Sequence, residues 1–288
     1  MAETGPETQI ALAGQVCIDR NDVEGRLYTS WGSPVLYMAD YYQRAHGITP
    51  AVLAPHGPDF TEYASGFSLH PEGPTAEQTL VYENTLIDGV RTQQCKNADR
   101  ELLLPVDEEI KRLVSNADIM FLAPLTPAYH PDYVEELLAP AHDGRLSVLL
   151  PQGYLREIGA DSSVNVREFE ESSAIIPNFN LLILSEEDVE GAVGLAQEWR
   201  KKHPGTNIVV TKGPDGASIV ETGEEIPVPT TPVNLDQALD TIGCGDTFSA
   251  TVAYYFMKDP SDLLGAVHRA NLAARLKLLS GLSGYPSV

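Results

Sequence analysis

The segment Asp240-Thr-Ile-Gly-Cys-Gly-Asp-Thr-Phe-Ser-Ala250 holds residue types that together can move a proton beside an anion. Gly243 and Gly245 bracket the small Cys244, Asp246 follows at once, and from Thr247 the chain reads as a helix. A glycine turn that opens a helix leaves backbone N–H groups free at the positive end of the helix dipole, which makes an anion site. A carboxylate fixed beside such a site is otherwise unfavourable. It has a purpose where a hydroxyl must lose its proton next to a phosphate. An ordinary aspartate pKa of about 3.9 makes Asp246 a feeble base at neutral pH. That is tolerable in phosphoryl transfer, where the proton can leave late. Other readings of the glycines fail on spacing. A dinucleotide fingerprint needs a third glycine where Phe248 stands. No Gly-x-x-x-x-Gly-Lys-Ser/Thr occurs, nor the protein-kinase pair His-Arg-Asp and Asp-Phe-Gly. There is no Gly-x-Ser-x-Gly, and the seven histidines show no metal-ligand spacing.

The same segment resembles the C-terminal signature of the ribokinase/PfkB carbohydrate kinase family, commonly Asp-Thr-x-Gly-Ala-Gly-Asp-x-Phe, with Cys244 in place of the alanine. The resemblance implies a ribokinase-like α/β fold, a mostly parallel central sheet flanked by helices, with a small β lid. It implies ATP-dependent phosphorylation of an alcohol group. Asp246 would orient and deprotonate the attacking hydroxyl, and the N–H groups of Gly243, Cys244 and Gly245 would stabilise charge on the phosphoryl group.

The resemblance extends along most of the chain. Asp19, in Val-Cys-Ile-Asp-Arg, matches an aspartate after the first strand that binds sugar hydroxyls, and a carboxylate can accept two at once. Trp31-Gly32-Ser33-Pro34 stands for the family's Gly-Gly motif, with Ser33 replacing the second glycine, so Gly32 and Ser33 are implied substrate contacts. Thr79-Leu-Val-Tyr-Glu-Asn and Asp88-Gly89-Val-Arg91 resemble the strands that close over the sugar, and Arg91 is a further implied contact. Ser185-Glu-Glu-Asp188 stands where the family often has Asn-x-x-Glu, a motif that organises magnesium and phosphate through water. Asp188 is thus the implied metal residue and Ser185 its companion on the nucleotide side. Read locally, the same four residues are close to a helix capping box. Thr211-Lys-Gly-Pro-Asp-Gly216 resembles a nucleotide-lining Thr-x-Gly-x-x-Gly, which points to Thr211, Gly213 and Gly216, with Lys212 adding charge. Asn271 lies in a stretch similar to the family's last helix, which flanks the adenine. Gln152-Gly-Tyr-Leu-Arg156 is similar to a segment of some small sugar and inositol kinases.

The implied cofactors are ATP and Mg2+, with a monovalent cation such as K+ left open beside Asp240 and Thr241. The implied acceptor is a small sugar or a cyclitol such as myo-inositol. A ribokinase-, fructokinase- or nucleoside kinase-like enzyme is the same-class alternative. A catalytically silent member that binds a ligand or partner is the other, disfavoured by the retention of Asp246 and both glycines. A monomer and a homodimer are both compatible with the sequence.

The elements that must position these residues alternate. Strands are expected at Gln9–Val16, Arg26–Trp31, Thr49–Ala54, Asp118–Ala123, Leu146–Leu150, Leu181–Leu184 and Asn207–Thr211, with hairpins at 78–94 and 217–227. Helices are expected at Pro34–His46, Glu108–Ser115, Pro131–Leu138, Glu168–Ile176, Glu187–His203, Thr247–Met257 and Ser261–Leu279. Repeated strand–helix units imply a mostly parallel sheet covered on both faces, with ligands beyond the C-terminal strand ends. The whole chain, 1–288, reads as one kinase domain, with lid strands within 17–31 and 78–94.

Composition narrows the partners. A net charge of −22, from 41 acidic and 19 basic residues, opposes binding to nucleic acid or anionic membrane. Hydrophobic residues make up 43%, enough for a sizeable core. Cys17, Cys95 and Cys244 lie far apart, which indicates neither a disulfide framework nor a zinc site. The acidic start has no apolar signal-peptide core and no apolar run approaches spanning length, so a cytoplasmic location is expected.

Overall fold

In a computed structural model of the chain, residues 8–87, 90–98, 103–142, 144–233 and 241–280 are described. The first half runs β1 (Ile10–Ala13), β2 (Cys17–Val23), β3 (Arg26–Gly32), α1 (Pro34–His46), β4 (Ala51–Leu53), α2 (Thr61–Ala64), β5 (Ser68–His70), β6 (Leu80–Ile87) and β7 (Val90–Lys96). There follow α3 (Glu108–Asn116), β8 (Ile119–Leu122), α4 (Pro131–Leu138), β9 (Leu146–Leu149), β10 (Arg156–Ile158), β11 (Val164–Val166) and α5 (Ser172–Ile175). The chain continues with β12 (Leu181–Ser185), α6 (Ala192–Lys202), β13 (Asn207–Thr211), β14 (Ala217–Glu221), β15 (Glu224–Val228), α7 (Cys244–Lys258) and α8 (Leu263–Ser280).

Among the described residues the main sheet has nine strands in the order β15-β14-β13-β12-β9-β8-β1-β4-β5. All neighbouring pairs are parallel except those of the β13-β14-β15 meander. Its central strands are apolar throughout because both faces are covered. In β1, Ile10 and Leu12 enter one core layer with α1, α7 and α8, while Ala11 and Ala13 enter the other with α3, α4, α5 and α6. The same alternation splits Ile119 and Phe121 from Met120 and Leu122 in β8, as the two-residue period of a strand requires. Two layers of helices thus hold the C-terminal strand ends in one row.

A second sheet, β3-β2-β6-β7, stands on that row. The expected strand at Arg26–Trp31 is its edge, but Cys17–Val23 is also a strand, paired with β3 and with β6. Asp19 therefore sits within a strand rather than in a turn. At the foot of this sheet, fully buried Gln15 ties the exit of β1 to the loop after β8. Its Oε1 accepts from the Leu125 N–H at 2.6 Å, and its amide donates to Thr126 Oγ1 at 2.9 Å.

Two expected helices are shorter. The segment Glu168–Ile176 is helical only over Ser172–Ile175, because Phe169 is drawn into the core, stacked on Tyr154 at 4.4 Å and edge-on to Trp199. The helix expected from Glu187 begins at Ala192, after Gly191 in the left-handed region with φ 72°. Residues 186–191 form turns instead. Strand β5 and the β10-β11 hairpin carry too few residues for a periodic signal. Among the described residues no helix is long and apolar enough to cross a membrane.

Candidate active site

Helix α7 starts at Cys244, with Gly243 as its N-cap at φ 75°. That glycine is required twice. Its φ lies in the left-handed region, and an added Cβ would come within 2.7 Å of the Tyr37 ring of α1. The first intrahelical bond runs from the Thr247 N–H to Gly243 O at 2.9 Å. The N–H groups of Gly245 and Asp246, in the first turn, have no carbonyl four residues back within the helix. The Cys244 N–H makes a long turn contact, 3.4 Å to Thr241 O, that an anion can displace. Buried Tyr42 of α1 donates to Ala250 O at 2.8 Å and pins the helix. Asp240 lies outside the described residues.

The acceptor-side candidates converge on the foot of the small sheet. The Asp19 carboxylate fills the space where Gly32 has no side chain: an added Cβ would lie 2.2 Å from Oδ2. Cys17 Sγ is 3.5 Å from Asp19 Oδ1. Ser33, where a second glycine was expected, adopts φ 132°, a region an L residue rarely enters. Its hydroxyl offsets this strain by donating to Gln15 O at 2.6 Å while accepting from the Val35 N–H, which caps α1. The Ser33 hydroxyl is thus engaged within the protein. Arg91 lies opposite Leu86 in β7, and its side chain is outside the described residues. Arg156 reaches the same region. Its guanidinium lies over the Tyr82 ring and donates to Tyr82 Oη at 3.3 Å, and Tyr82 in turn donates to Leu125 O at 2.8 Å. Gly153 permits this approach, since a Cβ there would lie 2.5 Å from Pro124 O.

The donor-side candidates line the ends of β12 and β13, where Ser185 and Thr211 are register partners. Ser185 and Asp188 do not cap a helix. Asp188 Oδ2 accepts the Ser185 N–H at 3.0 Å, and the Ser185 hydroxyl accepts the Glu187 N–H, so the reciprocal pattern closes a turn. Asp188 Oδ1 accepts from the Gln152 amide at 2.9 Å. Each oxygen keeps a further lone pair, which fits contact with a hydrated cation through water. Among the described residues no group of three His, Cys, Asp or Glu could hold a metal alone. Gly213 and Gly216 both take left-handed φ, 51° and 93°, and a Cβ on Gly216 would lie 2.4 Å from Val228 O. Asn271 donates to that same carbonyl at 2.8 Å. It therefore ties α8 to the end of β15. Lys212 differs from the expectation. Its ammonium pairs with Glu225, which Ser218 also holds at 2.7 Å, so its charge is offset within the protein.

Electrostatics joins the two sides at Asp246. Partly exposed toward the cleft, it is enclosed by protein elsewhere, and its pKa is pushed up to about 7. Loss of hydration is the main cause, reinforced by the Asp188 carboxylate and, more weakly, Asp19; Lys277 and Arg156 oppose it. The sequence reading of Asp246 as a feeble base of ordinary pKa is therefore corrected. A carboxylate near 7 is matched to proton transfer at neutral pH. Lys277 was missed. It is fully buried on α8 and follows Ala266, Ala270 and Ala273 along the core-facing stripe. A lysine on an otherwise apolar stripe was the available signal.

The family model for pfkB carbohydrate kinases matches residues 88–287, more than half of the chain. The chain belongs to the pfkB carbohydrate kinase family. Among solved structures, the fold of this pfkB-family chain is similar to a pyrophosphate-dependent kinase of the ribokinase family in a sulfate complex. The TM-score is 0.75 at 17% identity, over 94% of this chain and 95% of that one. It is similar as well to a pyrophosphate-dependent ribokinase-family kinase complexed with a pyrophosphate analogue and myo-inositol: TM-score 0.73, 16% identity, 97% of each chain. The Arabidopsis thaliana ribokinase complexed with ribose and ATP matches at TM-score 0.67 and 17% identity, over 94% of this chain and 92% of that chain. No curated protein sequence matches this chain.

Proposed function

We propose that this pfkB-family protein phosphorylates a hydroxyl of a small polyol, a sugar or a cyclitol such as myo-inositol, with ATP as donor. The observation that carries the reading is Asp246, poised near pH 7 in the first turn of α7 within electrostatic reach of both Asp19 and Asp188. Asp19 and Gly32 hold hydroxyls of the acceptor, with the Ser33 backbone and Arg91 beside them. Asp246 orients the reacting hydroxyl and takes its proton as the acceptor oxygen bonds to the γ-phosphorus and the bond from that phosphorus to the β–γ bridging oxygen breaks, releasing ADP. The N–H groups of the Gly243–Gly245 turn and of Asp246, at the positive end of α7, face charge on the transferring phosphoryl group. Ser185, Thr211, Gly213 and Gly216 line the donor, and Asn271 braces that wall. Asp188 would hold magnesium bound with the nucleotide through water, and the ion would supply neutralisation of phosphate charge. A monovalent cation at Thr241 is part of the reading and is tested by exchanging K+ for Na+. The chain works as a single unit, with the small sheet as its lid.

Two of the similar structures are pyrophosphate-dependent kinases, so the donor is tested together with the acceptor. The experiment measures donor consumption with ATP or pyrophosphate, with magnesium, over myo-inositol, D-ribose, D-fructose and nucleosides. Turnover of one acceptor that Asp246→Asn abolishes supports the reading. Ligand binding without turnover of any acceptor would favour a silent binding protein instead.

A further inference from the structure

The inner face of the small sheet carries a row of amides one rung beyond Asp19. Register places Asp19 beside Tyr82, and Asn21 beside Asn84, which faces Gln93 on β7. Side chains two apart on a strand share a face, so Asn21 points the same way as Asp19. That face looks into the site, because Asp19 acts on Asp246 and Tyr82 carries Arg156. The opposite face holds the ion pairs of Glu83 with Arg20 and Lys96.

The hydrogen bonds along the row run in one direction. Gln93 Nε2 donates to Asn84 Oδ1 at 2.7 Å, and Asn84 Nδ2 donates to Asn21 Oδ1 at 3.1 Å. The Asn84 and Asn21 carbonyls are each satisfied by the neighbouring amide. The chain ends on the Asn21 amide nitrogen, which is buried in a residue only 7% exposed and has no hydrogen-bond partner. A buried donor without an acceptor is costly, and native proteins seldom keep one without a use. Bonds that point the same way also polarise the terminal donor and strengthen it.

We infer that Asn21 is an acceptor-recognising residue of this site, its amide donating to a substrate oxygen while Asn84 and Gln93 hold it in that orientation. The inference rests on the kinase reading above and adds a substrate class to it. Asp19 offers acceptor atoms and Asn21 a donor, about 6.6 Å further along the strand. Together they fit a polyol that presents oxygens at opposite sides of a six-membered ring. A five-membered sugar spans less and reaches both only with difficulty.

The test uses the full chain with Asn21→Leu and Asn21→Asp, the same acceptor panel and both donors. Asn21→Leu should raise the acceptor KM and lower kcat/KM about tenfold for a six-membered polyol such as myo-inositol. The loss should be smaller for D-ribose, with donor KM and kcat little changed. The melting temperature of Asn21→Leu should change little, because the leucine removes the unpaired Asn21 donor but also the carbonyl to which Asn84 Nδ2 donates. Asn21→Asp, which replaces the donor by a carboxylate near Asp19, should be worse for the acceptor. Unchanged acceptor KM in Asn21→Leu, with turnover still abolished by Asp246→Asn, overturns the inference and leaves the kinase reading standing. A lower melting temperature with equal losses for acceptor and donor overturns it in favour of a purely structural row. Wild-type protein that phosphorylates none of the panel removes the kinase reading and this inference together.

Discussion

Asp246 takes up a proton more readily in the folded protein than in the unfolded chain, and both its chemistry and its cost follow from that. If it is the base, kcat/KM should fall about tenfold per pH unit below about 7, rather than below about 4. Asp246→Asn should lower kcat by roughly 10²–10⁴. Because folding raises this pKa, the folded state is favoured at low pH and loses stability as pH rises from about 4 through 7. Asp246→Asn should therefore raise the melting temperature at pH 8 and leave it unchanged below pH ~4. A variant within about threefold of wild-type kcat, or one that melts lower at pH 8, would remove Asp246 from this role. Lys277 supplies the opposite sign. It lowers the Asp246 pKa, so Lys277→Met should move the acid limb of the pH–rate profile upward. An unmoved limb would show that Lys277 acts only in the packing of α8.

At the scale of elements, the candidate site depends on close backbone approaches that a sequence motif can only hint at. Gly32 of β3 and Asp19 of β2 share one space, so Gly32→Ala forces the carboxylate to turn away rather than the backbone to move. The acceptor KM should then rise about tenfold or more, equal to ~1.4 kcal/mol or more, with the donor KM nearly unchanged. Equal effects on both ligands would mean that the two strands themselves had shifted. Ser33 and Asp188 show the limit of reading by motif. The sequence presents each as a departure from a family pattern, yet the structure uses each for a local purpose. Ser33 holds a strained turn with two hydrogen bonds, and Asp188 closes the loop after β12.

At the scale of the molecule, a chain of net charge −22 must hold an anionic donor. On the kinase reading, attraction would come from local dipoles at the start of α7 and from Arg156, set against a repulsive overall field. Screening weakens long-range repulsion more than short-range contact, since the Debye length shortens from ~30 Å at 0.01 M to ~8 Å at 0.15 M. Adding choline chloride over that range, with K+ and magnesium constant, should leave the donor KM unchanged or lower it. A steep rise in KM with salt would instead point to long-range attraction by a basic surface.

The short apolar runs of the central strands, the glycine turn and the apolar faces of α1, α7 and α8 are local patterns, and they were legible in the sequence. So was the candidate set around Asp246, Asp19 and Gly216, because short-range backbone demands leave glycines and acids at fixed spacing. The rest was decided by contacts between residues far apart in the chain. Lid strands within 17–31 were expected, but the parallel pairing of Cys17–Val23 with β6, more than fifty residues onward, was not legible. The late start of α6 and the broken helix at Phe169 come from a left-handed glycine and an aromatic stack. The raised pKa of Asp246 depends on burial and on charges carried by four other parts of the chain, at Asp188, Lys277, Arg156 and Asp19. Desolvation and Coulomb energy depend on distance in space, and only the tertiary structure sets those distances.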